Sequence, residues 1–357
     1  MAENKRTRWQ RRPGTTGGKL PWNDWRNATT WRKATQLLLL AMNIYIAITF
    51  WYWVRYYETA SSTTFVARPG GIEGWLPIAG LMNLKYSLVT GQLPSVHAAA
   101  MLLLVAFIVI SLLLKKAFCS WLCPVGTLSE LIGDLGNKLF GRQCVLPRWL
   151  DIPLRGVKYL LLSFFIYIAL LMPAQAIHYF VLSPYSVVMD VKMLDFFRHM
   201  GTATLISVTV LLIASLFIRH AWCRYLCPYG ALMGVVSLLS PFKIRRNAES
   251  CIDCGKCAKN CPSRIPVDKL IQVRTVECTG CMTCVESCPV ASTLTFSLQK
   301  PAANKKAFAL SGWLMTLLVL GIMFAVIGYA MYAGVWQSPV PDELYRRLIP
   351  QAPMIGH

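Results

Sequence analysis

Thirteen cysteines stand among 357 residues, and twelve of them fall into ordered groups. The densest stretch reads Cys251-Ile-Asp-Cys254-Gly-Lys-Cys257-Ala-Lys-Asn-Cys261-Pro262 and repeats as Cys278-Thr-Gly-Cys281-Met-Thr-Cys284-Val-Glu-Ser-Cys288-Pro289. Both copies are C-x2-C-x2-C-x3-C-P, the run that wraps a cubane [4Fe–4S] cluster, because its short spacings let three thiolates cap three irons from one loop. The fourth thiolate of each run reaches across to the other cluster. The pattern therefore predicts one cluster on Cys251, Cys254, Cys257 and Cys288, and a second on Cys278, Cys281, Cys284 and Cys261. Zinc would favour two C-x2-C pairs with a longer gap between them, which this spacing does not offer. A segment of about 50 residues buries little core, so the metal sites are expected to supply most of its stability.

A second pattern repeats as well. Lys116-Ala-Phe-Cys119-Ser-Trp-Leu-Cys123-Pro124-Val-Gly126-Thr-Leu128 matches His220-Ala-Trp-Cys223-Arg-Tyr-Leu-Cys227-Pro228-Tyr-Gly230-Ala-Leu232. A proline after the second cysteine suits the first turn of a helix, which places the thiols in a tight turn near a helix N-terminus, where thiolates are favoured. Three readings stand open for Cys119, Cys123, Cys223 and Cys227. Together they hold a metal or a third iron–sulfur centre, each pair cycles between dithiol and disulfide, or the turns only pack. Cys144 stands alone and is expected to pack as a buried or interfacial thiol.

The elements that must position these groups are apolar. Hydrophobic residues make up 55% of the chain and charged residues 15%, with a mean hydropathy of +0.47. That balance excludes a disordered chain and places the protein in contact with lipid. Five stretches approach the roughly 20 helical residues that cross a bilayer: about Thr35–Tyr57, Val96–Leu114, Leu154–Ile177, Thr202–Ile218 and Ala307–Trp336. With the N-terminus inside, segments 1–34, 115–158 and 219–306 hold all 36 basic residues except Arg55, Arg68, Lys85, Lys192, Arg198, Arg346 and Arg347. This is the positive-inside distribution, and it puts the N-terminus and all twelve grouped cysteines in the reducing cytoplasm and the C-terminus in the periplasm. It also removes the need for a nucleic-acid partner to explain a net charge of +20, because the basic residues form no single patch. The Lys5–Arg12 stretch is read as an arm on anionic inner-leaflet lipid, with Trp9, Trp22, Trp25, Trp31, Trp51 and Trp53 as interface anchors.

The expected fold is a membrane all-α bundle of about five transmembrane helices with an inserted cytoplasmic 2[4Fe–4S] ferredoxin-like α+β domain. Its divisions are a basic arm over 1–34, a membrane domain over 35–244, the ferredoxin domain over 245–300, a fifth transmembrane segment over 301–336 and a periplasmic tail over 337–357.

At the two Cys-x3-Cys-Pro turns, the paired ferredoxin runs and the segment Arg68-Pro-Gly-Gly-Ile-Glu73-Gly-Trp-Leu-Pro77-Ile, the chain resembles the membrane-bound polyferredoxins of the NapH and NosR type, the 4Fe–4S binding quinol dehydrogenase subunits. The resemblance covers roughly residues 35–300. It implies a bacterial inner-membrane protein that relays electrons between the quinone pool and a respiratory redox partner, with quinone as substrate. The chain departs from the NosR pattern in having no flavin-binding domain before its first span, and from the shorter NapH pattern in its fifth span and tail.

Two further roles remain open beside electron relay: an accessory factor that supplies electrons for assembly or reduction of a metal centre in another enzyme, and a passive scaffold. The outer loop 58–95 is the expected quinone or partner contact, with Arg68, Glu73, Lys85 and His97 as its polar groups. The plainer reading pairs Arg68 with Glu73 and makes His97 a cap of the second span.

Overall fold

The computed structural model describes residues 27–59, 62–141, 144, 146–298 and 308–355. The Lys5–Arg12 arm and Trp9, Trp22 and Trp25 lie outside the described residues. Fifteen α-helices and one small sheet follow in chain order. They are α1 (Ala28–Glu58), α2 (Pro77–Thr90), α3 (Ala98–Leu114), α4 (Pro124–Phe140), α5 (Arg148–Leu171), α6 (Ala174–Val181), α7 (Pro184–Val187), α8 (Met189–Arg198), α9 (Thr202–Phe217), α10 (Ala221–Tyr225) and α11 (Pro228–Val236), then β1 (Lys243–Arg246), α12 (Lys256–Lys259), α13 (Thr283–Glu286), β2 (Leu294–Ser297), α14 (Gly312–Tyr332) and α15 (Asp342–Leu348).

Among the described residues, α1, α5 over Trp149–Leu171 and α14 are long and apolar enough to cross a membrane. The pair α8 and α9, bent by 79° at its break, makes a fourth if it counts as one span. Large apolar side chains on these helices face outward, with Leu160 72% and Leu170 67% exposed on α5, a surface suited to lipid and not to water. The helices differ in detail from the five expected stretches. At 17 residues, α3 falls short of the roughly 20 needed, because His97 and Lys115 adopt left-handed backbone at its two ends (φ 58° and 61°). The expected third span is broken. Met172 precedes Pro173, and a residue before proline is steered out of helical geometry, so α5 stops at Leu171 and Ala174–Val181 forms a separate helix.

The chain packs as two units. The first combines residues up to Leu38 with Ile108–Leu128 and Gly230–Gly321, and the second combines Leu39–Phe107, Ser129–Tyr229 and the stretch from Ile322 onward. In the first unit β1 and β2 pair antiparallel, from Lys243 opposite Ser297 to Arg246 opposite Leu294. This pairing closes the two ends of the cysteine-rich segment on each other, and Ile244, Leu294 and Phe296 supply its buried core. In the second unit Phe50, Trp53, Val54 and Tyr57 of α1 pack with Val187, Val191, Tyr345 and Leu348. The C-terminal tail is therefore docked through α15, where the Tyr345 ring meets the edge of Trp53 at 5.0 Å.

Candidate iron–sulfur site

The two cysteine runs curl in the same way. Asp253 and Gly280 occupy equivalent places in the runs, as do Gly255 and Met282, and all four adopt left-handed backbone with φ between 52° and 65°. Two left-handed residues within five turn the loop so that its thiols share one side. Each run then enters one short helix, α12 or α13, led by Gly255 or Met282.

Two voids result. One, of about 340 Å³, is lined by Cys261, Cys278, Cys281 and Cys284, together with Ile244 and Val273. The other, of about 350 Å³, is lined by Cys251, Cys254, Cys257 and Cys288, with Arg246, Asp253 and Asp268 beside them. Each void draws three cysteines from one run and the fourth from the other. Burial pushes the Cys261 thiol up to about 12 and also raises Cys257, Cys278 and Cys284, although backbone N–H groups such as that of Ile265, 3.4 Å from the Cys261 sulfur, pull the other way. Buried thiols of this kind ionise when a cation sits among them, so the donor set fits a metal group. Among the described residues no three Cys, His, Asp or Glu side chains close around a single ion. Each void is instead lined by four thiols, the number of ligands a cubane takes.

The first Cys-x3-Cys-Pro turn is built against one of these loops. Phe118–Leu122 form a single wide turn, with the Cys123 N–H on Phe118 O at 3.0 Å, and Cys123 goes extended so that Pro124 can open α4. A side chain on Gly126 would place its Cβ 2.3 Å from Cys119 O, so the turn closes only over glycine. Ser120 Oγ donates to Thr279 O at 2.7 Å and Trp121 Nε1 to Gly280 O at 3.3 Å, both in the Cys278–Cys281 loop. Gln36 Nε2 donates to Ser120 O at 2.9 Å.

The second turn uses the same backbone device, with the Cys227 N–H on Trp222 O at 3.0 Å, but its anchor is ionic. Arg224 meets Asp151 through Nε and Nη2, both at 3.0 Å, and Tyr225 OH donates to Asp151 Oδ1 at 2.7 Å. Arg155 also donates to Asp151. Cys119 and Cys123 belong to the first unit, Cys223 and Cys227 to the second. Cys144 is exposed, not packed, because its segment is held by the backbone, with its N–H on Phe217 O at 2.8 Å.

Arg68, Glu73 and His97 form a buried ionic cluster with Asp190. Arg68 Nη2 donates to Glu73 Oε1 at 2.7 Å, and Arg68 Nε and Nη2 both donate to Asp190 Oδ2, at 3.0 and 2.6 Å. His97 Nδ1 lies 2.8 Å from Glu73 Oε2, and His97 Nε2 lies 2.8 Å from Ser186 O. Both partners of the ring are acceptors, so His97 is held as imidazolium. Burial works against that charge, but Glu73 outweighs it and His97 is raised. Burial likewise works against the Glu73 carboxylate, but His97 and Arg68 together hold it down to about 2. The Arg68–Glu73 pair matches the plainer sequence reading. The expected cap by His97 does not form: its ring is spent on Glu73 and Ser186. Asp190 was missed, and its signal in the sequence was a lone acid within Val187-Val188-Met189-Asp190-Val191. The Lys85 ammonium caps the C-terminal end of α5 on Ala169 O and Leu170 O at 2.9 and 2.8 Å, and on Met172 O.

The family model described as "4Fe-4S binding domain" matches twice, at residues 96–143 and 200–247, once over each Cys-x3-Cys-Pro turn. The one described as "4Fe-4S dicluster domain" matches residues 243–289. "Putative electron transport protein YccM" of Escherichia coli (strain K12) is 99% identical over 357 residues, all of both chains. The "Ferredoxin-type protein NapH" of the same organism is 26% identical over 58% of this chain and 70% of its own. The "Regulatory protein NosR" of Pseudomonas aeruginosa is 30% identical over 59% of this chain and 29% of its own. The chain belongs to the NapH/NosR-type 4Fe–4S proteins. No solved structure matches it. As a member of that family it is a membrane protein with two [4Fe–4S] clusters and an iron–sulfur electron-transfer role, which requires a redox partner.

Proposed function

We propose that this protein relays electrons between the quinone pool and a respiratory redox partner at the bacterial inner membrane. In this reading Cys251, Cys254, Cys257 and Cys288 hold one [4Fe–4S] cluster, and Cys278, Cys281, Cys284 and Cys261 hold the second. The ferredoxin segment lies on the cytoplasmic side, the chain spans five times, and the tail from 337 is periplasmic. When bound, such clusters take and give single electrons at potentials set by their surroundings.

The observation that carries the reading is the way the first unit ties its cysteine voids to the apolar helices. Thr29 at the start of α1 donates through its N–H to Glu286 Oε1 at 2.9 Å, beside Cys284 and Cys288. Thr35 and Thr316 join α1 to α14 at 3.4 Å, and the turn after α3 donates to the Cys278–Cys281 loop. The residues do three things: they hold the thiols, exclude water from Cys257, Cys278, Cys284 and Cys288, which are buried, and fix the pair at helix ends within reach of a lipid-soluble carrier. Cys119, Cys123, Cys223 and Cys227 then stand as candidate metal or cluster ligands, or as redox thiols. The two matches to a 4Fe–4S family model support the cluster among these choices.

The test is anaerobic reduction of membranes carrying only this protein. A reduced quinol analogue should bleach the iron–sulfur absorbance within seconds. Reduction by a low-potential soluble donor alone would overturn the quinone reading and favour the accessory role. Iron and sulfide analysis separates the fates of the turn cysteines: about eight irons mean two cubanes, and about twelve mean a third.

A further inference from the structure

We propose that Lys115 sets the reduction potential of the second cluster, its buried ammonium raising that potential while leaving the first cluster untouched. The proposal rests on the assignment of that cluster to Cys261, Cys278, Cys281 and Cys284.

Lys115 is fully buried, and its Nζ has no hydrogen-bond partner among the described residues. A buried ammonium without an acceptor is costly, and sequences retain one where something supplies the missing negative charge. Its backbone is fixed for the purpose. Left-handed at φ 61°, Lys115 donates its N–H to Ser240 Oγ at 3.1 Å, and that hydroxyl donates to Leu113 O at 2.7 Å. The segment lies directly on the cysteine loop. A Cβ on Gly280 would stand 3.1 Å from Leu114 O and 3.5 Å from Lys115 Cβ.

Besides burial, the charged and titratable groups among the described residues that act on Lys115 are Cys278 and Lys243, and no carboxylate is among them. Lys116, also buried, acts on the same Cys278 thiol. A cubane on four thiolates is anionic and gains one more negative charge on reduction, so a fixed cation beside it favours the reduced state. The void lined by Cys251, Cys254, Cys257 and Cys288 has acids at its wall. Asp253 and Asp268 line it with Arg246, and Asp268 Oδ1 is itself buried with no partner among the described residues. Burial of the second site disfavours the extra charge of reduction, and Lys115 offsets that penalty.

The experiment is an EPR-monitored redox titration of the full-length protein, kept anaerobic in detergent and reduced with dithionite, with iron and sulfide counted on the same samples. Cys278→Ser identifies the signal of the second cluster. In Lys115→Met that signal should move down in potential, its reduced-to-oxidised ratio at the wild-type midpoint falling about tenfold, ~59 mV for one electron, while the other signal stays in place. Lys115→Arg should keep the wild-type value. If Lys115→Met and Lys115→Gln lose the second cluster and Lys115→Arg retains it, the need for a positive charge is supported. Loss in all three variants, or a neutral variant with both clusters and no selective shift, overturns the proposal. Wild-type protein without cubane signals would overturn the cluster assignment itself, and the proposal with it.

Discussion

The two Cys-x3-Cys-Pro turns share spacing, a trailing proline and the same wide backbone hydrogen bond, yet they are held in place by different physics. The first is fastened by neutral donors, Ser120, Trp121 and Gln36, to backbone carbonyls. The second is fastened by a buried ion network in which Asp151 serves Arg224, Tyr225 and Arg155. The contrast extends to the units that contain them. The second unit neutralises its buried charges internally, Arg68 and His97 against Glu73 and Asp190. The first leaves Lys115 without an acceptor among the described residues, and its buried thiols call for a cation. A sequence repeat thus fixes the local turn, while the tertiary surroundings decide whether neutral hydrogen bonds or buried ions hold it in place.

The contrast can be broken most forcefully at Asp151. Asp151→Ala removes the buried acid that Arg224, Tyr225 and Arg155 share and should destabilise the fold by about 3–5 kcal/mol, read as a lowered thermal midpoint in detergent. Iron bound at the ferredoxin cysteines should survive in the fraction that remains folded, and parallel loss of iron in that fraction would mean that the second turn also supports the clusters. Gly126→Ala attacks the first turn instead. The clash with Cys119 O should cost about 1–3 kcal/mol and disturb the EPR signal of the second cluster before that of the first. An unchanged midpoint and spectrum would show that the turn relaxes freely.

The pH response sharpens the comparison. Glu73 is depressed from 4.5 to about 2, so its contribution is complete above about pH 4.5 and is lost as pH falls toward 2. His97 is raised from 6.5, so its contribution is complete below about pH 6.5 and fades as pH rises through the higher folded value. Thermal midpoints measured across pH should therefore show an alkaline decline that His97→Gln removes. A decline of equal size in that variant would place its cause elsewhere. The mildest change is Ser120→Ala, which removes one hydrogen bond worth about 0.5–1.5 kcal/mol. It should alter the second-cluster EPR line shape with little loss of stability, and a change in the first-cluster signal alone would contradict the docking described above.

Much of the site was legible in the sequence because ligand spacing is itself geometry. C-x2-C-x2-C-x3-C-P can curl in few ways, and the crossing of Cys288 and Cys261 into opposite voids follows from the same spacing. The membrane segments were legible as composition but not as boundaries. Pro173 cut the third stretch at Met172, and left-handed His97 and Lys115 trimmed the second, since apolar content alone does not register where backbone geometry changes hand. The outer polar cluster was half legible: Arg68 and Glu73 lie five residues apart, while Asp190 and Ser186 come from more than a hundred residues away.

By itself the sequence determined the chemistry of this protein: thiolate sets for two cubane clusters, apolar helices to carry them, and a repeated cysteine turn. The tertiary structure decided which charges those groups meet. It drew Lys115 against the Cys278 loop, gave Arg224 its aspartate, and closed His97 between two acceptors. Electrostatic energy depends on distance and burial across the fold, and neither is recorded in the order of residues along the chain.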